Sequence, residues 1–197
     1  MKKLIIIILL CASGSLLAVP KHIQECMDCH APDGISQHKD IPSIAGTSAA
    51  FIEETFAVYQ YDMRKEVKSK YRFGDTGRKA TSMKKIAKKL SDAQIAEAAA
   101  YFAALSYRSV KQDFDAEKAA TGKTIHEQRC EKCHLDGGMS ASKNAPILAG
   151  QWRPYLESAM TMIRDGKRDI DERMNRTVKK ITDEEWDALL NYYASQQ

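Results

Sequence analysis

The sequence predicts an all-α protein made of two helical repeats in tandem. The pentad CMDCH at 26–30 returns as CEKCH at 130–134, and the hexads IPSIAG and APILAG follow the two pentads at the same distance. Later, KKLSDAQIAEAAAYFA aligns with KKITDEEWDALLNYYA. Apolar residues in these tails recur with helical spacing, and nothing alternates like a strand for long. Self-similarity of this kind indicates one structural unit used twice.

One insertion distinguishes the two copies. Equivalent residues are 104 positions apart at the pentads and hexads, but 91 apart from Met83 onward, where Met174 is the equivalent. The first copy therefore contains 13 additional residues between Phe51 and Met83.

Helix start signals are present in both tails. Ser91 with Gln94, and Thr182 with Glu185, have the spacing of a capping box, in which side chains and backbone amides bond reciprocally. The segment TGKTIHEQRC predicts a helix that runs into the second pentad, and a shorter helix is expected before the first.

The N-terminus has the pattern of a secretory signal peptide. Two lysines follow the first Met, an apolar run covers Leu4–Leu10, and small residues lead to Ala18, which predicts a signal peptide at 1–18. A membrane anchor is the alternative, but the run is shorter than the ~20 residues that cross a bilayer's hydrocarbon core. We therefore expect an exported, periplasmic protein with no membrane span.

Two small domains are expected in the mature chain. The segment YRSVKQDFDAEKAAT is polar and lacks apolar periodicity, which places the boundary near residue 108 and the domains at 19–108 and 109–197. The net charge of +4 is too small to indicate binding of nucleic acid, which an exported chain would rarely meet.

Each pentad has the pattern C-x-x-C-H, for which three interpretations compete. Disulfides are common in exported proteins but give no reason for the His. Zinc ribbons bring two CxxC pairs within about 15–20 residues, whereas Cys29 and Cys130 are 101 positions apart. In C-type haem attachment, both thiols bond to the haem vinyl groups and the His reaches the iron. Two copies favour covalent haem, held by Cys26 and Cys29 and by Cys130 and Cys133.

The axial ligands of the two irons are predicted from the same repeat. His30 and His134 supply one ligand each, and a Met thioether or a second His supplies the other. Met83 and Met174 are the methionines that occupy equivalent positions, each eight residues before its helix cap, so the predicted axial ligands are His30, Met83, His134 and Met174. Two further equivalent histidines are expected to be solvated surface residues: His22 and His126.

Residues after the pentads are candidates to orient the cofactor. A ligating His usually donates its other ring N–H to an acceptor such as a carbonyl, which fixes the ring orientation. The carbonyls of Pro42 and Pro146 are predicted to accept these bonds. Gln151 and Trp152 are candidate donors to a buried propionate, with core packing as the alternative for Trp152.

In this order of motifs the chain resembles the bacterial tandem dihaem cytochromes c, in which two class I cytochrome c domains each wrap around one covalently bound haem. The second half is most similar to the haem subunit of flavocytochrome c, the sulfide dehydrogenase, in CEKCHLDGG, ILAGQWRPYLESAM and YYASQQ. The resemblance implies two haem c groups with His/Met ligation. It also implies an FAD-containing flavoprotein subunit that oxidises sulfide and reduces one haem. The 13-residue insertion departs from the family pattern.

Electron transfer is favoured over catalysis by this chain. It has no G-x-G-x-x-G loop for a flavin of its own, and two axial ligands on each iron leave no open position for a substrate. The first hypothesis is a haem subunit that accepts electrons from a sulfide-oxidising flavoprotein. The alternatives are a free dihaem shuttle to a terminal oxidase or reductase, and a dihaem enzyme with one labile ligand.

Positive charge is concentrated in one segment. Residues 63–89 contain eleven Lys or Arg and only two acids, Glu66 and Asp75. Such a run is often only a solvated face. Because it surrounds Met83, we expect it to steer an acidic redox partner, with a salt-dependent rate of encounter.

Overall fold

The computed structural model describes residues 18–197, so the predicted signal peptide lies almost entirely outside the described residues. Nine helices occur within 18–197, in this order: α1 Lys21–His30, α2 Ala49–Gln60, α3 Met83–Ala87, α4 Asp92–Ala103, α5 Ala116–Arg129, α6 Leu135–Gly138, α7 Arg153–Arg164, α8 Glu172–Val178 and α9 Asp183–Ser195. Strand-like pairing in this part of the chain is limited to two isolated bridges, Arg64 with Arg168 and Ser69 with Thr81. The all-α prediction is confirmed.

Both predicted capping boxes are present. The Ser91 side chain accepts the Gln94 N–H at the start of α4, and Thr182 accepts the Glu185 N–H at the start of α9. The Gln94 and Glu185 side chains bond back to the backbone of their caps. Each pair thereby satisfies donors that the first helical turn would leave unbonded.

The first core lies among α1, α2, α3 and α4. Ile23 of α1 and Phe56 of α2 belong to this cluster. α4 contributes the four buried positions that its periodicity predicts: Ile95, Ala98, Ala99 and Phe102.

The second core is built on a close crossing of α5 and α9. A Cβ placed on Gly122 of α5 would lie 2.1 Å from the carbonyl oxygen of Ala188 and 2.8 Å from Cβ of Tyr192. Only glycine allows the two backbones to approach so closely. α9 again buries or half-buries the predicted face: Trp186, Leu189, Leu190 and Tyr193.

The two halves meet through residues that follow the pentads. Ser43 N–H donates to Gln151 Oε1 at 3.0 Å, and Gln151 Nε2 donates to the Ser43 carbonyl at 2.7 Å. Trp152 Nε1 donates to the Ser36 carbonyl at 2.8 Å. The prediction that Trp152 donates to a propionate is therefore wrong, because its single N–H is taken by the Ser36 carbonyl. Gln151 uses one of its two amide hydrogens on the Ser43 carbonyl.

The position of the insertion can now be narrowed. α2 and α7 are 104 residues apart at both ends, and Arg64 and Arg168, which follow them and form an antiparallel bridge, are also 104 apart, so the first offset still holds at Arg64. The extra residues lie between Arg64 and Met83, and residues 65–82 are called the inserted segment below.

Candidate haem-binding sites

The first pentad forms the last turn of α1. Cys26 is buried and its thiol donates to the His22 carbonyl at 3.3 Å, while Cys29 is half-buried. Burial, followed by the charge of Glu25, raises the pKa of the Cys26 thiol to about 12. Burial also raises the pKa of Cys29, against the effect of nearby arginines.

His30 is oriented as a metal ligand would be. Its Nδ1 lies 2.9 Å from the Pro42 carbonyl, which can only accept, so Nδ1 carries the proton and Nε2 keeps its lone pair. Burial lowers the pKa of His30, although the Pro42 bond opposes this, so the neutral ring is favoured. A neutral imidazole with a free Nε2 is the form that binds iron.

The second pentad follows α5 as a turn, and its His has the same bond to a proline carbonyl. His134 Nδ1 lies 3.2 Å from the Pro146 carbonyl, and burial lowers the pKa of His134. The predicted roles of the Pro42 and Pro146 carbonyls are thus confirmed. Cys130 caps α5 and is half-buried, whereas Cys133 is exposed.

The backbone hydrogen bonds between each hexad and the glycine that follows its pentad also repeat. The Gly34 carbonyl accepts two amide hydrogens from the first hexad, at 2.8 and 3.1 Å, and the Gly138 carbonyl accepts two from the second at the same distances. Each hexad then bonds to the last helix of its half, through Gly46 N–H to Phe102 and Gly150 N–H to Tyr193. The hexad that contains each His-bonding proline is therefore held both by the loop after the pentad and by the last helix of its half.

Both predicted Met ligands lie in the first turn of a short helix. Met83 is the first residue of α3, behind the cap Ser82, and packs against the first core. Met174 is the third residue of α8, behind the cap Asp171, and is half-buried. The caps fix both backbone segments, since each accepts amide hydrogens of its helix.

A cleft opens beside the second candidate site. It lies between the end of α5, which leads into the second pentad, and α8, which carries Met174, and its volume is about 650 Å³. None of Cys130, Cys133, His134 and Met174 lines the cleft, and small-molecule sites are mostly apolar, so the cleft neighbours the candidate site but is not the site itself. Its lining is mostly basic: Arg129, Arg173, Arg176, Thr177 and Lys180.

The inserted segment bonds to the first pentad through the backbone and the side chain of Asp28. The Asp28 carbonyl accepts the amide hydrogens of Arg72 at 2.7 Å and Phe73 at 3.0 Å. The Asp28 carboxylate, which is buried, forms an ion pair with Arg78. Arg78 also lies over the Tyr71 ring, with 3.6 Å between its guanidinium carbon and the ring centroid. The second pentad has Lys132 in place of Asp28, and no inserted segment opposite it.

The expectation that His126 is solvated is wrong. Its ring is fully buried, with Nε2 2.6 Å from the Glu131 carboxylate and Nδ1 3.0 Å from the Tyr193 hydroxyl. Its counterpart His22 is half-buried and faces Glu97 at 3.1 Å. His126 therefore ties α5 to α9 through Tyr193, whereas His22 Nε2 lies near Glu97 without a hydrogen bond within residues 18–197.

The basic run at 63–89 is less uniform than its sequence suggests. Arg64 is buried, and four more cations pair with acids: Arg72 with Asp40, Arg78 with Asp28, and Lys84 and Lys88 with Asp62. Six exposed lysines of the run form no ion pair within the described chain: Lys65, Lys68, Lys70, Lys79, Lys85 and Lys89.

The donor set fits covalent haem better than the alternatives. All four cysteines of residues 18–197 are free thiols, and within the same range no three His, Cys, Asp or Glu side chains come together as a metal cluster. Each site instead offers two thiols next to a His whose Nε2 is free. These residues match the requirements of thioether attachment and iron ligation.

Two all-α repeats with this pentad geometry define a tandem protein of the class I c-type cytochromes. The chain belongs to the cytochrome c family, since cytochrome c-554(548) of Halomonas halodenitrificans is 31% identical over 90 residues, covering 46% of this chain and 95% of the relative. A family model described as cytochrome C oxidase, cbb3-type, subunit III also matches residues 117–192. Haem c is the cofactor of this family, and the chain has two attachment pentads.

Two curated relatives are similar to almost the whole chain. The thiosulfate dehydrogenase electron acceptor of Thiomonas intermedia is 25% identical, covering 94% of this chain and 84% of the relative. Cytochrome c4 of Azotobacter vinelandii is 26% identical, covering 92% of this chain and 89% of the relative.

Solved structures agree on the fold. The structure of Acidithiobacillus ferrooxidans cytochrome c4 has a TM-score of 0.70 at 24% identity, covering 87% of this chain and 99% of that one. The thiosulfate dehydrogenase of Marichromatium purpuratum, in its as-isolated form, has a TM-score of 0.68 at 24% identity and is matched over 36% of its length. Among residues 18–197, no helix is both long and apolar enough to cross a membrane.

Proposed function

We propose that the protein is a periplasmic dihaem electron carrier with one covalent haem in each half, at 19–108 and 109–197. One observation carries the proposal: two equivalent pentads each combine free thiols with a buried His whose Nδ1 is held by a proline carbonyl. Cys26, Cys29, Cys130 and Cys133 would form the thioether bonds.

The residues around each iron determine what the site can do. We assign His30 with Met83, and His134 with Met174, as axial ligands. Bound haem supplies reversible one-electron chemistry, and the Met thioethers raise its potential. Four protein ligands on two irons leave no open position for substrate, which favours a carrier over an enzyme with one labile ligand.

Spectroscopy tests the ligand assignment directly. We expect two haems per chain by pyridine haemochrome, and in the oxidised protein the long-wavelength absorption band of a thioether–iron bond. Met83→Ala and Met174→Ala should each remove about half of that band, whereas Met139→Ala, an exposed Met in the same half as Met174, should leave it unchanged. A variant that keeps the full band would refute the assignment of its Met.

The electron donor is proposed to be a dehydrogenase that oxidises a reduced sulfur compound. A relative along almost the full chain bears the name thiosulfate dehydrogenase electron acceptor, which supports thiosulfate as the donor's substrate. The sequence motifs of the second half favour a second candidate, an FAD-containing flavoprotein that oxidises sulfide. A free shuttle to a terminal oxidase or reductase is the third.

The three candidates differ in what accompanies the native protein after gentle periplasmic extraction. Flavin in a heavier gel-filtration particle, with haem reduction by sulfide, would identify the flavoprotein complex. Haem reduction by thiosulfate without flavin would identify the thiosulfate enzyme as donor. A particle of the chain's own mass that neither compound reduces would leave the free shuttle.

The docking surface for an acidic partner is proposed to be the exposed part of the 63–89 run. Its unpaired lysines extend from the inserted segment to α3, the helix that begins with Met83. Charges of one sign near a haem edge increase the rate of encounter with a partner of opposite charge.

A further inference from the structure

The two helices that carry the predicted Met ligands are held differently. α3, which begins with Met83, is bonded to the end of α2 and to the residues that follow α2. Four bonds make this connection: Glu66 to the Ser82 hydroxyl at 2.6 Å, Asp62 to Lys84 at 2.7 Å and to Lys88 at 3.0 Å, and Gln60 to the Ala87 carbonyl at 3.1 Å. Met83 itself packs against the first core. The backbone on both sides of Met83 is therefore fixed.

α8, which carries Met174, has no such connections within residues 18–197. Its side-chain hydrogen bonds and ion pairs all end on residues of the same short segment, 171–177. Val178 is its buried residue, and the second core, as far as the described chain shows, includes Cys130 but not Met174. Displacing Met174 therefore breaks fewer interactions than displacing Met83.

The second site is also the more open of the two. Cys133 is exposed, whereas its counterpart Cys29 is half-buried. The inserted segment covers the first pentad at Asp28, and the second half has no equivalent segment. A small molecule can therefore reach the second pentad from solvent more easily than the first.

The cleft beside the second site presents cations to an entering molecule. Arg129 directly precedes Cys130, and Arg173 directly precedes Met174, so the lining lies next to both parts of the site. Three of the lining cations also contact acids: Arg129 with Glu185, Arg173 with Asp171, and Arg176 with Glu172. These acids do not line the cleft, and Lys180 forms no ion pair within the described residues. The cleft therefore favours small anions over neutral molecules of the same size.

A Met thioether is a soft, uncharged ligand, whereas oxidised iron is a Lewis acid that attracts anions. We propose that Met174 is the axial ligand that small inorganic anions such as azide or cyanide displace, with entry through the basic cleft, while Met83 stays bound. In this exchange the sulfur–iron bond breaks, a lone pair of the anion forms the new bond, and no electron is transferred. The inference rests on the proposed function, because it needs haem at the second pentad with Met174 on its iron.

The test is an azide titration of the oxidised holoprotein, followed by its long-wavelength thioether band. Haem content and the band are measured before azide is added. Fewer than two haems, or a band that Met174→Ala leaves complete, would overturn the proposed function together with this inference. Two haems with a complete band that resists azide would overturn the inference alone. We expect azide to remove the part of the band that belongs to Met174.

Two variants assign the loss to one Met. In Met83→Ala the remaining band belongs to Met174, and azide should remove it completely. In Met174→Ala the remaining band belongs to Met83, and the same azide concentration should leave it intact. Equal or reversed sensitivities would overturn the proposal.

A second pair of variants keeps both ligands, in case Met83→Ala does not retain haem. Asp62→Asn weakens the bonds to Lys84 and Lys88 and suits the left-handed backbone at this position, so azide should now also remove the part of the band that belongs to Met83. Asp40→Asn is the control, because it removes an exposed acid of the same half that is paired with Arg72. Equal azide sensitivity of the two variants would count against the proposal.

The route through the cleft is tested with a charged and an uncharged ligand. Lys180→Gln should weaken azide binding about twofold or more at low salt, since it removes a cation from the entry path. It should not change the binding of imidazole, which is mostly neutral at mildly alkaline pH. Lys143→Gln, at an exposed position of the same half, should leave both ligands unaffected. Equal weakening of both ligands by Lys180→Gln, or no weakening of azide binding, would overturn this route.

Discussion

Arg78 of the inserted segment forms an ion pair with Asp28, which lies inside the first pentad between Cys26 and His30. The same Asp28 supplies its carbonyl to two amide hydrogens of the segment. A carboxylate that is 6% exposed needs a counterion, and the insertion provides it. Since the second pentad has Lys132 at this position and no insertion, the acid and the segment that neutralises it occur together.

Replacing Arg78 should loosen the inserted segment. Arg78→Gln leaves the buried Asp28 carboxylate without its cation, so we expect limited proteolysis within 65–82 to become severalfold faster. Asp28→Asn removes the buried carboxylate itself and leaves the Arg78 cation, whose side chain is 33% exposed, so it should have a smaller effect. The control is Arg72→Gln, which breaks an exposed pair with Asp40 and should change little. Equal cleavage rates for Arg78→Gln and Arg72→Gln would contradict this account.

The α5–α9 crossing should not tolerate a side chain at Gly122. Gly122→Ala places a methyl group against the Ala188 carbonyl, and overpacking of this kind costs about 1–3 kcal/mol. Denaturant unfolding monitored by circular dichroism measures the loss. Ala120→Ser, at an exposed position of the same helix, should cost only a few tenths of a kcal/mol. If the two variants were equally stable, the helices would not be in close contact at Gly122.

Local sequence patterns predicted the parts of this structure that local chemistry determines. The capping boxes depend on residues three apart, and the buried faces of α4 and α9 depend on helical periodicity. The His30–Pro42 and His134–Pro146 bonds were found because the repeat marked both prolines. The axial pairs with Met83 and Met174 stay predictions.

The features that the sequence did not predict all involve partners far apart in the chain. His126 is buried because Tyr193, 67 residues later, covers it, and Gln151 is occupied because Ser43, 108 residues earlier, lies opposite. In the sequence, Arg64 is one more cation of a basic run. In the structure it pairs with Arg168 of the other half and is buried. No window of a single sequence contains these contacts.

The Glu131 carboxylate should make the second half sensitive to acid. Burial disfavours its charge, but bonds from His126 and from the amides of Gly137 and Asp136 outweigh this, so the pKa of Glu131 lies below its usual value of 4.5. A lowered folded-state pKa stabilises the protein above the unfolded value and loses that contribution as the pH falls through the folded one. The test is to measure melting temperatures from pH 7 down to pH 3, roughly the range in which carboxylates titrate. Below about pH 4.5, the melting temperature should fall more steeply in the wild type than in Glu131→Gln. Parallel curves would contradict this role, and Glu184→Gln, an exposed acid in α9, is the matched control.

The unpaired lysines of α3 and its C-terminal cap region should control the salt dependence of electron exchange. Lys85 and Lys89 are exposed and form no ion pair within residues 18–197, whereas their neighbours Lys84 and Lys88 are neutralised by Asp62. We expect Lys85→Gln with Lys89→Gln to slow oxidation of the reduced protein by ferricyanide, an anionic probe, about twofold or more at low salt. The logarithm of the rate constant should also fall less steeply with ionic strength. Above roughly 0.1 M salt, where the screening length is about 10 Å, the variant and the wild type should converge.

The matched control removes the same charge elsewhere. Lys111→Gln with Lys143→Gln changes two exposed lysines of the second half, so the net charge is identical while the face near Met83 is intact. If net charge alone governed the encounter, both double variants would show the same slope. If only the Lys85 and Lys89 variant changes the slope of the rate constant against ionic strength, anionic partners approach the first half. The rate then depends on the local potential near the reacting group rather than on the total charge.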